Sequence, residues 1–159
     1  MIEPMRQARL DHSFFEDEVR PHLGSLLLEK GLISHDQLDE ALTERSASGE
    51  LLGETLVRLG FIFEDELARV LAEQVGISFV NLDTIPVDLQ AASVLPRELG
   101  EELCALPVRF LPEGGLVVAV ADPMDNTLLP QLQLALSCPL NLAVATASSI
   151  RRSWRSVPA

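Results

Sequence analysis

The chain has 159 residues, 47% hydrophobic and 23% charged, with a formal net charge of −12. This length accommodates one medium domain or two small ones, and the hydrophobic fraction is sufficient for a packed core. The acidic balance argues against nucleic acid as the main partner, because neutralising phosphates needs a basic face.

The N-terminus carries no apolar segment typical of a secretory signal, and no apolar run approaches the roughly 20 residues that cross a bilayer. We therefore expect a cytoplasmic protein without membrane insertion. Residues 1–20 mix Phe14, Phe15 and Val19 with neighbouring acidic residues. This segment is interpreted as an N-terminal arm, either flexible or a helix that packs on a partner or on a second copy.

A repeat follows the arm. Residues 22–45 align without a gap on residues 51–74, and nine of the 24 aligned pairs are identical. Leu23, Gly24, Leu27 and Gly31 of the first copy correspond to Leu52, Gly53, Leu56 and Gly60 of the second. Repeats of this length are supersecondary units that bury their apolar faces against each other.

Each copy reads as a helix, a tight turn and a second helix. Gly31 and Gly60 stand where a helix ends in a left-handed residue. Ser34 and Gln37 form a capping box for the next helix, whereas the second copy has Phe63 in place of the serine. Gly24 and Gly53 have two open interpretations, close packing between helices or close approach of a ligand to the backbone.

The pattern changes after residue 75. Residues 77–82, 104–111, 116–121 and 139–146 are predicted strands, and the second and third form a hairpin in which Pro107 marks an edge or a bulge. Two short helices meet at Pro96, a longer one begins at Asp122 as cap, and residues 148–155 form a closing helix. Pro130 is expected to delay the regular part of the longer helix.

The predicted fold is therefore α+β. A helical tandem-repeat subdomain of about four short helices spans residues 21–75. A small α/β subdomain with about three to four strands spans residues 76–159.

Residue types that carry catalysis are not found in a recognisable pattern. The chain has no phosphate loop and no nucleophile motif. His12, His22 and His35 lack the spacing of metal ligands, so no metal site and no cofactor are predicted. Cys104 and Cys138 favour buried thiols, although the sequence leaves a disulfide open. We expect a protein that is not an enzyme.

The paired motifs resemble the N-terminal domain of type II secretion and type IV pilus assembly ATPases. That family repeats the pattern R-L-G-x-x-L-x-x-x-G-x-I-x-x-x-x-L-x-x-A-L-x-x-Q with a five-residue spacer. The segments "GISFVNLDTIPVDLQAASVLPRELGEELCALPVRFL" and "LVVAVADPMDNTLLPQLQLALSCPLNLAVATASSI" also resemble its following α/β part. The resemblance covers about residues 20–156.

The resemblance implies a non-catalytic regulatory and docking module of such an ATPase system. Its partner would be the cytoplasmic domain of an inner-membrane assembly protein, or a motor ATPase, which would recruit it to the inner membrane. Residues 151–155, "RRSWR", are either a small docking patch centred on Trp154 or a helix end that leads into a linker.

The alternative is a cyclic di-GMP receptor, because one subfamily binds that nucleotide through the paired motifs. The positions that correspond are His22, Leu23, Gly24, Leu27, Arg45, Leu51, Leu52, Gly53, Leu56 and Gln74. This sequence departs from the binding pattern at the motif ends, where His22 and Leu51 replace a basic residue and Arg45 replaces glutamine. Only Gln74 matches the closing glutamine.

Overall fold

The computed structural model describes residues 23–158. His22 and the predicted N-terminal arm lie outside the described residues. The helices are α1 (residues 23–29), α2 (His35–Ser48), α3 (Leu52–Arg58), α4 (Glu64–Val75), α5 (Leu89–Ala92), α6 (Arg97–Leu103), α7 (Leu128–Ala135) and α8 (Ala147–Ser156). The strands are β1 (Ala105–Phe110), β2 (Leu116–Val120) and β3 (Leu140–Val144), which confirms the α+β fold.

The chain divides into two compact units, with the boundary between Phe63 and Glu64. We call the first the helical unit, described from residue 23 onward, and the second the sheet unit. The sequence analysis divides the chain after residue 75, one helix later. Packing places α4 in the sheet unit because Ala68 and Ala72 form a small apolar cluster with Val144 of β3.

The turns of the two motifs have the same geometry. Gly31 and Gly60 adopt left-handed φ angles of 73° and 80°. In each copy the N–H of the glycine and the N–H of the next residue both donate to carbonyls of the preceding helix. The second of these bonds joins Leu32 N to Leu27 O in the first copy and Phe61 N to Leu56 O in the second, both at 3.0 Å. This pattern satisfies carbonyls at a helix end that would otherwise lack partners. The prediction of a helix, a glycine turn and a helix is confirmed in both copies.

The predicted capping box also forms at the start of α2. The Ser34 hydroxyl accepts from Gln37 N at 3.1 Å, and the Gln37 side chain accepts from Ser34 N at 2.9 Å. The sequence signature is sufficient here because both partners lie within one turn of the chain.

The sheet unit contains a three-stranded sheet in the order β1-β2-β3. β1 and β2 form the predicted antiparallel hairpin, and β3 runs parallel to β2. The β1–β2 register shifts between Pro107 and Arg109, so Pro107 lies both on an edge strand and at an irregularity, as expected for a residue without an N–H.

A tryptophan organises the core of the sheet unit. Trp154 of α8 is 1% exposed, and its Nε1 donates to Ala105 O at 2.9 Å. A Cβ atom added at Gly100 would lie 2.2 Å from Trp154 Cζ2. The indole therefore occupies space that the glycine of α6 leaves free, and α6, β1 and α8 meet around it.

Two predicted elements differ from the structure. Residues 77–82 form no strand of their own, because only an isolated bridge joins Phe79 to Val144. The helix predicted from Asp122 begins six residues later, at Leu128. Pro130 therefore lies in its first turn, and the late start expected from this proline is confirmed. The Asp122 carboxylate accepts from Met124 N at 3.1 Å and so closes a local turn.

The two cysteines lie at opposite ends of β2. Ala121 N donates to Cys104 O at one end, and Leu116 N donates to Pro139 O, next to Cys138, at the other. Strand geometry of about 3.3 Å per residue places these ends on the order of 15 Å apart. A disulfide needs Cα atoms within roughly 7 Å, so no disulfide joins these two cysteines in this fold.

Candidate functional site

The leucines that align with the ligand-binding motif lie in the core of the helical unit. Their side chains are 0–1% exposed, and they are Leu23, Leu27, Leu52 and Leu56. Ile33, Ala41 and Ile62 of the same unit are also buried. Burying each leucine contributes roughly 1.5–3 kcal/mol, so these positions stabilise the fold whether or not a ligand binds.

The first motif glycine has a packing role. Gly24 is buried in α1, and a Cβ atom there would lie 3.2 Å from Leu38 Cδ1 of α2. The missing side chain therefore lets α1 and α2 approach each other. Between the two interpretations of Gly24, this contact favours close helix packing. Gly53 is buried at the second position of α3.

The motif ends are spread over the chain. Arg45 is half-buried in the last turn of α2, and its carbonyl accepts from Gly49 N at 2.8 Å. Leu51 is half-buried and precedes α3. A leucine side chain has no acceptor to cap a helix, although the Glu54 carboxylate accepts from Leu51 N at 3.3 Å.

Gln74 belongs to the sheet unit, near the end of α4. Its Oε1 atom is buried and has no hydrogen-bond partner within residues 23–158. A buried amide oxygen without a partner costs roughly 1–3 kcal/mol, which makes this residue unusual for a purely structural position.

An ionic network that sequence reasoning missed lies in the spacer between the motifs. Glu50 Oε1 accepts from Arg58 Nη2 at 2.8 Å, from the Thr55 hydroxyl at 3.2 Å and from the Ser48 hydroxyl at 3.2 Å. Arg58 also reaches Glu44 of α2 at 3.4 Å. Arg58 thus connects α2, the spacer and α3. No motif signals this pairing, because the partners are eight and fourteen residues apart.

Charge and hydrogen bonding in this network shift both ionisable groups. The hydrogen bond from Arg58 lowers the pKa of Glu50 below its ordinary value. The hydrogen bonds to Glu50 and Glu44 raise the pKa of Arg58. Each shift favours the charged form of the group, so the network is fully formed at neutral pH.

The alternative of a docking patch centred on Trp154 is wrong, because that side chain is buried against Gly100 and Ala105. Arg151 and Arg155 are exposed on α8, and Arg152 forms an ion pair with Asp83 at 3.1 Å. The exposed arginines of α8 therefore have no exposed tryptophan beside them that could act as an apolar anchor for a partner. Among residues 23–158, no helix is both long and apolar enough to cross a membrane.

Comparison with known proteins defines the class. Residues 75–158 match the MshEN domain, and the chain belongs to this family. It is 41% identical over 111 residues to the type IV pilus assembly ATPase PilB of Thermus thermophilus, and 33% identical over 114 residues to bacteriophage adsorption protein B of Escherichia coli K12. It is 30% identical over 134 residues to type II secretion system protein E of Xanthomonas campestris.

These matches cover 69%, 72% and 78% of this chain but only 12%, 15% and 22% of the respective relatives. The chain therefore spans a small part of the length of these relatives.

Two solved structures share the fold. The structure of MshE with cyclic di-GMP has a TM-score of 0.76 at 30% identity, covering 86% of this chain and 98% of that one. The N-terminal domain of XpsE has a TM-score of 0.71 at 28% identity, covering 87% and 93%. The predicted family, the N-terminal domain of secretion and pilus ATPases, is confirmed.

Proposed function

We propose that this chain is a non-catalytic regulatory and docking module of a type II secretion or type IV pilus-like ATPase system. It would bind the cytoplasmic domain of an inner-membrane assembly protein, or a motor ATPase. The observation that carries the proposal is the fold, which matches the separate N-terminal domain of XpsE over 93% of that domain. A compact domain that is a minor part of much longer relatives is suited to recruiting or positioning the remainder.

Affinity purification from cells of the organism that encodes this chain tests this proposal. A tagged chain should retain an ATPase or assembly component of a secretion or pilus system at a level well above the tag alone. The matched control is Arg152→Ala, which removes only an exposed ion pair and should retain the same component. If quantitative mass spectrometry finds no assembly component with either protein, the docking function is wrong.

A second candidate function is a cyclic di-GMP receptor, and the likeness to MshE with cyclic di-GMP favours it. The turns at Gly31 and Gly60 have matching geometry, which supports a paired arrangement of the two motifs. Arg45 of the helical unit would supply a guanidinium for phosphate or guanine, which Arg recognises through paired donors. Gln74 remains a sequence-based prediction for the same ligand.

The buried leucines set a condition on this candidate. Because Leu23, Leu27, Leu52 and Leu56 are already buried, a nucleotide can contact their side chains only if the helical unit rearranges. Binding would then change amide hydrogen exchange in α1 and α3, and it would be weaker than binding to a preformed pocket.

Isothermal titration with cyclic di-GMP, with cyclic di-AMP and GTP as controls, tests the receptor function. Selective binding that Arg45→Ala weakens at least tenfold, while Arg152→Ala leaves it unchanged, would support it. Equal heats for all three nucleotides, or no heat at millimolar ligand, would leave the repeat as a scaffold only.

A further inference from the structure

The sheet unit exposes a group of large apolar side chains on elements that pack together. Leu89 of α5 is 46% exposed and Phe110 at the end of β1 is 46% exposed. Ile85 before α5 and Val94 after it are 37% and 45% exposed. We call these four residues the α5–β1 face. Single exposed apolar residues are ordinary, whereas several on adjoining elements form a candidate interaction surface.

The backbone fixes the position of this face. Asp88 N donates to Val108 O at 2.9 Å, so the start of α5 is held beside β1 two residues before Phe110. The Asp88 carboxylate also accepts from Gln90 N at 3.0 Å and caps α5. The face therefore lies on hydrogen-bonded elements, which lowers the entropic cost of ordering it for a partner.

The charged residues along this part of the chain are mostly acidic. Residues 81–113 contain six carboxylates and two arginines. Four of the carboxylates are exposed at the N-cap of α5, on α6 or in the turn after β1, and they are Asp88, Glu98, Glu102 and Glu113. One of the arginines, Arg97, donates to the carbonyls of Trp154 and Val157 and so is already engaged. Arg109 is exposed at the end of β1.

We infer that the α5–β1 face binds a basic amphipathic segment of a partner protein, whose apolar side chains cover Leu89 and Phe110. The lysines or arginines of that segment would meet the exposed carboxylates of Asp88 and Glu113, which flank Leu89 and Phe110 in the chain and which we call the acidic rim. This inference rests on the proposed docking function and names the chemistry of its partner. The apolar contact would supply most of the affinity, and the opposite charges would give orientation and a faster association rate.

The charge of the chain favours a basic partner segment over a second copy of the chain, an anionic lipid surface or an acidic peptide. A second copy of the chain, with net charge −12, would bring more carboxylates toward an acidic rim and would be repelled. An anionic lipid surface or an acidic peptide would meet the same repulsion. A basic segment is attracted to this rim, and the attraction weakens as salt shortens the screening length.

Nuclear magnetic resonance titration of the ¹⁵N-labelled chain tests the inference. The probes are three sets of 18-residue helical peptides that share one face of leucine and phenylalanine. The other face carries arginine and lysine in the cationic set, glutamate and aspartate in the acidic set, and serine and glutamine in the neutral set. Members of the cationic set should shift amides around Leu89 and Phe110 saturably, and their affinity should fall at least threefold between 50 and 300 mM salt, as expected for screened charges.

Three variants sharpen the assignment. Leu89→Asp with Phe110→Asp should weaken the cationic probes at least tenfold, and Asp88→Asn with Glu113→Gln should weaken them about threefold. The matched control is Leu134→Asp, because Leu134 is 89% exposed on α7 of the same unit and should not affect binding. Heteronuclear spectra of each variant show whether it is folded.

Several results would overturn the inference. They are binding of the acidic set as tight as that of the cationic set, shifts confined to another surface, and the absence of saturable shifts from every cationic peptide. These failures differ from failure of the docking function, which is read from the purified complex. If the Leu89→Asp and Phe110→Asp variant retains the assembly component with unchanged affinity, the docking function stands but the α5–β1 face is not the binding surface.

Discussion

The helical unit and the sheet unit are each stabilised internally by a different kind of contact. In the helical unit, the contacts described join residues close together in the chain, as in the Ser34 capping box and the turns at Gly31 and Gly60. In the sheet unit, Trp154 reaches α6 and β1, about 50 residues away in the chain. The turns and caps of the helical unit can therefore be predicted from short sequence patterns. The core of the sheet unit depends on contacts between distant residues, which no short pattern predicts.

The comparison is sharpest at two helical glycines. Gly24 of the helical unit faces a leucine side chain, and Gly100 of the sheet unit faces an indole ring and a backbone carbonyl. Alanine favours the helix over glycine by about 1 kcal/mol at either position. A difference in the loss of unfolding free energy between the two alanine variants therefore reports how far the neighbouring atoms can move to make room for the added methyl group.

Gly100→Ala is expected to have the largest effect. Its Cβ would lie 2.2 Å from Trp154 Cζ2 and 3.0 Å from Ala105 O, and neither group can move freely in a packed core. Overpacking of this kind should lower the free energy of unfolding by about 3 kcal/mol. Trp154 is the single tryptophan, so its fluorescence in a urea titration reports unfolding of its unit directly. A transition midpoint equal to that of the wild type would contradict the packing described for α6 and α8.

Gly24→Ala is expected to have a much smaller effect. The nearest atom is Leu38 Cδ1 at 3.2 Å, the end of a flexible side chain that can rotate away. The gain in helix propensity offsets the crowding, so the free energy of unfolding should change by less than about 1 kcal/mol. Far-ultraviolet circular dichroism measures the change. A loss as large as that of Gly100→Ala would mean that α1 and α2 are packed as rigidly as the tryptophan.

Glu50→Gln tests the ionic network of the helical unit through its pH dependence. Arg58 lowers the pKa of Glu50, so the stabilisation is present above the ordinary value of 4.5 and is lost as pH falls below it through the folded-state pKa. The difference in Tm between wild type and variant should be constant from pH 7 to 5.5 and should shrink below pH 4.5. A difference that does not change with pH would show that the glutamate acts through packing alone.

Arg152→Ala is expected to have the smallest effect. The Arg152–Asp83 pair is separated by 3.1 Å, but both side chains are about half exposed or more, at 49% and 63%. Such pairs contribute roughly 0–1 kcal/mol and are screened by salt. Urea titration monitored by fluorescence should give nearly the wild-type midpoint. A large loss would mean that this pair, rather than Trp154, holds α8 in place.

The particular successes and errors of the sequence analysis follow the same division. Gly31, Ser34 and Pro107 are predictable because the chemistry of each residue favours its own turn, cap or strand position. Asp122 was assigned as a helix cap but closes a turn instead, because a carboxylate followed by Pro123 suits both local structures. The position of α4 depends on the contact of Ala68 and Ala72 with Val144, which no repeat pattern reveals.

The candidate ligand residues show a further limit. Alignment of the motifs identified Leu23, Leu27, Leu52 and Leu56, but the same spacing of leucines is required for the core in which they are buried. A motif that serves both packing and binding cannot separate the two roles. The Glu50–Arg58 pair and the α5–β1 face were missed because neither has a periodic signature.

The central claim is that this chain docks an assembly component, and site-specific photo-crosslinking in cells of the organism that encodes this chain tests it most directly. A photoreactive phenylalanine analogue at position 89 or 110 should crosslink an ATPase or inner-membrane assembly protein through a peptide rich in lysine or arginine. The same analogue at exposed Gln133 of α7 serves as the control. Crosslinks from position 133 to that component, with none from positions 89 and 110, would contradict the proposed face. If no position yields a crosslink to an assembly protein, and affinity purification also retains no assembly component, the docking function itself is contradicted.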